Sequence, residues 1–143
     1  MATGMFPLTQ TFFETVGAVA AGSDLETPVC VAPFAGAVTE VTFIARTTLT
    51  GANTDSRTLS LINKGAAGSG TASVAAKAFT SGVNATGNDE TALTLDTTDA
   101  TSDGVYENRV VAAGDVLTFK SLHVGSTGLA DPGGTVKVVI SRD

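Results

Sequence analysis

Short stretches in which hydrophobic and polar residues alternate recur along the chain. The clearest lies near the C-terminus, where Val136, Val138 and Ile140 occupy every second position of residues 135–141. Alternation with a period of two is typical of a strand that buries one face and exposes the other. Turn-forming sequences precede such runs, as Asp-Pro-Gly-Gly does at residues 131–134. The pattern therefore predicts strands separated by tight turns.

Applied to the whole chain, this pattern predicts about eight strands, and no stretch has a helical period over ten residues. The alanines of residues 72–80 are equally compatible with a helix. The predicted strands cover residues 15–21, 26–32, 37–47, 56–63, 72–80, 90–95, 116–124 and 135–141. A change of phase between Val38 and Val41 predicts a β-bulge near Thr39, and Pro28 indicates an edge strand or a strand start. We expect an all-β protein, an antiparallel β-sandwich or jelly-roll-like barrel of about eight strands with an extended N-terminal arm.

The first thirteen residues differ from the rest of the chain. They contain Phe6, Phe12 and Phe13, three of the seven phenylalanines, and show no strong alternation. A terminal segment could fold back over its own domain, or it could dock on another subunit with its aromatic side chains as anchors. We therefore divide the chain into an arm at residues 1–13 and a single β domain at residues 14–143.

Composition narrows the classes of function. The 143 residues carry a net charge of −6, and the eight lysines and arginines are scattered. An acidic surface without a basic cluster disfavours direct binding to nucleic acid. We find neither an apolar stretch long enough to span a membrane nor a secretory signal, so we expect a soluble protein made in the cytoplasm.

Acidic residues are the densest candidate for chemistry. Six carboxylates fall within one stretch of the chain: Asp89, Glu90, Asp96, Asp99, Asp103 and Glu107. Their spacing does not match an EF-hand, and a glycosidase pair would need sugar platforms that a chain with no Trp and one Tyr lacks. We favour a solvated acidic loop over a calcium site, and we predict no metal.

His123 and Cys30 are the only histidine and the only cysteine. A zinc site or a catalytic triad requires partners that these two residues cannot supply alone. We expect His123 to have a structural role at a strand end and Cys30 to be a buried small hydrophobe. The sequence offers no catalytic residue and no cofactor motif, so we predict that the protein is not an enzyme.

Four segments together resemble a known family. They are APFAGAVTEVTF (32–43), TLSLINKGAAGSGT (58–71), AFTSGVNAT (78–86) and AAGDVLTFKSLHVGSTGLADPGGTVKVVISR (112–142). In order and spacing they resemble the small head decoration proteins, also called minor capsid or cement proteins, of tailed bacteriophages. Residues 1–13 lie outside the resemblance.

The resemblance implies a structural protein on the outer capsid surface of a virion. Its partner would be the major capsid protein, and it would assemble as a homotrimer. Phe6, Phe12 and Phe13 would anchor the arm on the capsid or on a neighbouring protomer. Deletion of residues 1–13 should then abolish capsid binding and leave the fold intact.

Two other classes of function are also compatible with the sequence. A glycan- or host-binding module displayed on a virion would show exposed aromatic side chains in a groove lined by loops. A hydrolytic enzyme would show a cleft with a histidine or a pair of acids. The fold class cannot choose among these, because β-sandwiches support many functions.

Overall fold

The computed structural model describes residues 7–142, which form two antiparallel β-sheets packed face to face. A short 3₁₀ helix, Glu107–Arg109, precedes the eighth strand. The strands are β1 (Leu8–Val16), β2 (Leu25–Val31), β3 (Gly36–Ala45), β4 (Ser56–Asn63), β5 (Ala72–Phe79), β6 (Glu90–Ala92), β7 (Thr94–Leu95), β8 (Val110–Val111), β9 (Val116–Val124) and β10 (Gly134–Arg142).

Successive strands alternate between the two sheets, except that β4 and β5 pair with each other in the second sheet. The first sheet has the order β1-β10-β3-β6, with β8 also beside β3, and the second has the order β2-β9-β4-β5-β7. Without the two-residue strands β7 and β8, this is the strand order of a jelly roll. The predicted fold class, an antiparallel sandwich with jelly-roll character, is confirmed.

The core lies between the sheets and is filled by the alternating apolar positions. Val136, Val138 and Ile140 of β10 are at most 1% exposed, as their period of two predicted. Phe43 of β3 and Phe119 of β9 stack across the sandwich with ring centroids 5.7 Å apart. Aromatic side chains of this size contribute much of the apolar surface that folding removes from water.

The first strand differs from the prediction. We expected a strand at residues 15–21 after an arm, but β1 begins at Leu8 and pairs with β10 along all nine of its residues. Most of the predicted strand is instead the connection to β2. Residues 8–13 are all exposed except the half-buried Phe12, and they join the sheet because each of them pairs with a residue of β10.

Two smaller features test the predicted strands. The bulge near Thr39 is confirmed, because Val139 pairs with Glu40 while Ile140 pairs with Val38, which leaves Thr39 as the extra residue. The predicted strand at residues 90–95 is divided between the two sheets. Its break is Leu93, which is 4% exposed and donates its N–H to the carbonyl of Val41.

Candidate interaction surface

The structure separates the phenylalanines that were predicted to act together. Phe12 and Phe13 are neighbours in β1, so their side chains point to opposite faces of the first sheet. Phe12 is half-buried and packs against the core, whereas Phe13 is 62% exposed on the outer face. Phe6 lies outside the described residues. Of the predicted anchors, Phe13 is the one that the described structure presents to solvent.

Phe13 lies beside an ion-pair cluster on the outer face. Its partner across the β1–β10 ladder is Lys137, whose Nζ lies 2.9 Å from Glu40 Oε1 and 2.8 Å from Glu90 Oε1. Hydrogen bonds to Glu90 and then to Glu40 raise the pKa of Lys137. These contacts fix the ammonium group above the sheet, so Phe13 has an ordered polar boundary on one side.

The outer edge of β1 is not paired with any other strand of residues 7–142. Seven of its nine residues are exposed, the exceptions being Phe12 and Val16. Within residues 7–142, β1 pairs with β10 alone. An edge strand presents unpaired N–H and C=O groups that can accept a strand from another chain. The sequence of β1, LTQTFFETV, contains no proline and no lysine to discourage such pairing.

The other edges of the described sheets are guarded. β2 contains Pro28, which has no N–H, and its register shifts between Pro28 and Cys30. Glu26 adds a charge to this edge, where it accepts a hydrogen bond from Thr118 and lies 3.4 Å from Lys64 Nζ. At the opposite sides, β6 has three residues and β7 has two. Short, bulged or charged edges resist pairing with other chains.

A buried arginine that was not predicted from the sequence lies at one end of the sandwich. Arg57 of β4 is 0% exposed, although its side chain carries a charge. Its guanidinium donates to the carbonyls of Leu129 (2.6 Å), Ser23 (3.0 Å) and Ala20 (3.2 Å) and to Ser121 Oγ (2.9 Å). One side chain thereby holds the β1–β2 connection against the loop between β9 and β10.

A buried aspartate completes this cluster. Asp131 is 2% exposed, accepts a hydrogen bond from Ser121 Oγ at 2.6 Å, and accepts the N–H of Gly133 at 2.8 Å. Burial lowers the pKa of Arg57, and the nearby carboxylates of Asp131 and Asp24 oppose that effect. Such a network fixes loop geometry, because a buried charge is tolerated only when it is paired and hydrogen-bonded.

His123 has a defined partner at the end of β9. Its Nδ1 lies 2.7 Å from Asp24 Oδ1, which also accepts the backbone N–H of His123 at 2.8 Å. Hydrogen bonds from this backbone N–H and from the imidazole lower the pKa of Asp24. The pair connects the loop after β1 to the end of β9.

The acidic loop brings together three of the six carboxylates considered above. Carboxylate oxygens of Asp99, Asp103 and Glu107 lie within 4.8 Å of one another. They already accept hydrogen bonds from the loop itself: Asp99 from the N–H groups of Asp103 and Gly104, and Glu107 from the N–H of Ala100. This is the arrangement of a loop whose carboxylates satisfy its own backbone N–H groups.

Cys30 is half-buried and not fully buried as predicted. It follows the irregular pairing of β2, where the register shift turns the side chain partly out of the core. Burial raises the pKa of its thiol to about 11. A thiol with so high a pKa is a weak nucleophile near neutral pH.

A groove of about 490 Å³ lies on the outside of the β5–β6 region. Polar and small side chains line it, among them Lys77, Asn84, Asp89 and Glu90. No aromatic side chain of residues 7–142 lines this groove. A groove of this kind lacks the apolar platform that a sugar ring stacks on.

Comparison with known proteins adds no relative. No protein-family model, curated protein or solved structure matches the chain. Among the described residues, no helix has the length and apolar character needed to cross a bilayer.

Proposed function

We propose that this protein is a decoration, or cement, protein that binds the major capsid protein on the outer surface of a tailed-bacteriophage head. The observation that carries the proposal is the side of the sandwich formed by β1, where an exposed phenylalanine lies beside an open strand edge. The jelly-roll strand order is in keeping with it, since jelly rolls recur in viral capsid proteins. The same architecture occurs in lectins, so the fold supports the proposal without deciding it.

The proposed mechanism needs little energy at each site. Covering Phe13, which is 62% exposed, would contribute about 1–2 kcal/mol from the apolar area removed from water. Many decoration proteins act in parallel on one shell, so modest contacts add up by multivalency.

The role of the N-terminal segment changes in this proposal. Removing residues 1–13 would delete six of the nine residues of β1, namely 8–13, so that deletion would disturb the sheet as well as any docking. Phe12 serves the fold through its contact with the core. We assign docking to Phe13 and keep Phe6 as a further candidate anchor that lies outside the described residues.

The proposal can be tested on virus particles. Phage particles produced from the genome that encodes this chain would be stripped of the protein, incubated with purified wild type or variants, and separated on a density gradient. We expect wild type to migrate with the particles and Phe13→Ser to bind at least about fivefold more weakly. Electron cryo-microscopy of the decorated particles should place the protein on the outer surface.

Matched variants separate docking from folding. Val31→Ser removes a side chain of similar exposure, 54%, from the guarded edge strand β2, and it should bind as wild type does. Deletion of residues 1–6 tests Phe6 without touching β1. Absence of the protein from the particles, or equal binding by Phe13→Ser and wild type, would reject the proposal.

The glycan- or host-binding alternative has less support from this surface. Its expected signature is an exposed aromatic side chain in a groove. Tyr106 is 39% exposed, but the Arg109 guanidinium lies 4.4 Å from its ring centroid and occupies one face. Specific binding on a glycan array, abolished by Tyr106→Ala, would favour this alternative over the capsid role.

A further inference from the structure

We propose that the open edge of β1 pairs with the β1 strand of a second copy of this protein. The two strands would be antiparallel and related by a twofold axis that passes between the two copies of Phe12. The two first sheets would then join into one continuous sheet across the dimer. The pair would occupy the backbone edge of β1 and leave capsid docking to the outer face that carries Phe13, so self-association and capsid binding can be tested separately. A twofold pair also replaces, as the building block, the homotrimer that the resemblance implies.

The strand edges that the described sheets expose indicate which chain would pair with β1. A head-to-tail assembly needs two different complementary surfaces, whereas a twofold assembly uses one surface twice. In the described part of the chain, β1 is the only long edge without a proline, a bulge or a lysine. Because the described structure has no second open edge of this length, β1 of one copy would pair with β1 of another copy.

The sequence of β1 is close to a palindrome around Phe12. In an antiparallel pair centred there, residues whose numbers sum to 24 lie opposite each other. Apolar residues then face apolar residues, Thr9 faces Thr15′ and Gln10 faces Glu14′. The pairs, with primes for the second copy, are Leu8–Val16′, Thr9–Thr15′, Gln10–Glu14′, Thr11–Phe13′ and Phe12–Phe12′.

Neighbouring registers fit less well. The core-facing residues of both copies lie on the same face of the joined sheet only if the numbers of paired residues have an even sum. The nearest alternative registers therefore have sums of 22 and 26. A sum of 26 places Phe12 opposite Glu14′, and a sum of 22 places Leu8 opposite Glu14′. Each competitor sets an apolar side chain against a carboxylate, which favours the register centred on Phe12.

The proposed pair also gives the exposed apolar groups of this strand neighbours within the sheet and leaves the outer side of the Phe13 ring accessible. Phe13, which is 62% exposed, would lie across from Thr11′ on the outer face, and Leu8, which is 40% exposed, would meet Val16′. Glu14 is the only charged side chain of β1, and it would meet a neutral amide. The contact is thus complementary in polarity as well as in backbone pairing.

A charge series at Gln10 tests the pairing. Gln10 is exposed and lies four residues from Glu14 in its own strand, about 13 Å away, so a new charge there acts mainly across the interface. Gln10→Glu would place carboxylates opposite each other in two symmetric pairs and should weaken the dimer about tenfold, while Gln10→Lys should strengthen it. Sedimentation equilibrium of the full chain measures both.

Two controls keep the result specific. Ala67→Glu adds the same charge in an exposed loop and should leave the association constant unchanged. In a Cys30→Ala background, a mixture of Thr9→Cys and Thr15→Cys proteins should form a disulfide-linked dimer on oxidation. Each cysteine variant alone should not, because a residue and its own copy would lie about 20 Å apart.

Three results would overturn the inference. They are a monomer or trimer at every concentration, equal association of Gln10→Glu and Gln10→Lys, and a dimer that forms only after residues 1–6 are deleted. The last result would mean that the N-terminal residues occupy the edge in the full chain.

Discussion

β1 and β2 lie next to each other on one side of the sandwich, where each is the edge strand of its sheet, but only β2 has features that prevent pairing with another strand. β2 is interrupted by Pro28 and a register shift and carries Glu26. β1 pairs with β10 without interruption over nine residues and leaves its other side open. Two strands of one molecule, joined by a short connection, thus differ in whether they can accept a further strand.

The difference distinguishes an edge that is protected against pairing from an edge that can bind another strand. A guarded edge is what a soluble protein needs, since unguarded edges invite aggregation. An open edge beside an exposed phenylalanine is costly unless another chain covers it. The contrast between β1 and β2 is therefore the reason that we propose the β1 side as the binding side of the molecule.

The largest effect is expected at Arg57, which holds the connection between β1 and β2. Arg57→Met removes four hydrogen bonds and leaves Asp131 buried without its nearby cation. We expect a loss of about 3–5 kcal/mol in the free energy of unfolding, measured by urea denaturation. Arg46→Met, at an exposed arginine, should cost less than about 0.5 kcal/mol. Equal losses for the two variants would show that the cluster does not hold the connection.

The adjacent phenylalanines give the next largest effect. Phe12→Ala removes a half-buried ring from the core and should lower the free energy of unfolding by about 1.5–3 kcal/mol. Phe13→Ala removes an exposed ring and should change it by less than about 0.5 kcal/mol. Thermal and urea unfolding of both variants would check this. A larger loss from Phe13→Ala would mean that its side chain serves the fold.

These two residues also show what the sequence could and could not predict. The strands at residues 56–63 and 116–124 were predicted with their observed bounds, because Leu59, Leu61, Leu117 and Phe119 alternate cleanly with polar residues. β1 was missed because its two adjacent phenylalanines hide the period of two, and threonines fill the outer face. Its partner β10 is far away in sequence, so local pattern could not reveal the pairing.

The candidate surface was predictable only in part. Phe13 was among the predicted anchors, but its separation from Phe12 follows from strand geometry that the arm interpretation did not contain. The Arg57 cluster joins residues from three distant parts of the chain, and an arginine in an alternating strand reads as solvent-facing. Polar positions on the inner face are visible only once the register is known.

Acid should weaken the loops around the binding side. Hydrogen bonds from the N–H groups of Thr127 and Gly128 lower the pKa of Asp55, so the unfolded chain binds a proton more readily than the folded one. The stabilisation is present above the unfolded pKa of about 3.9 and is lost as pH falls through the lower folded pKa. The melting temperature of the wild type should therefore fall on acidification. The melting temperature of Asp55→Asn should fall less steeply over the same pH range. Parallel pH profiles for the two proteins would contradict this account.

The smallest effect is expected at the guard of the other edge. Pro28→Thr restores one N–H to β2, but the register shift beside it and the charge of Glu26 remain. We expect its self-association to equal that of its parent, measured by sedimentation in a Gln10→Glu background that suppresses pairing through β1. An increase would show that the proline alone keeps β2 closed, because the bulge and the charge would then be insufficient to block an added strand.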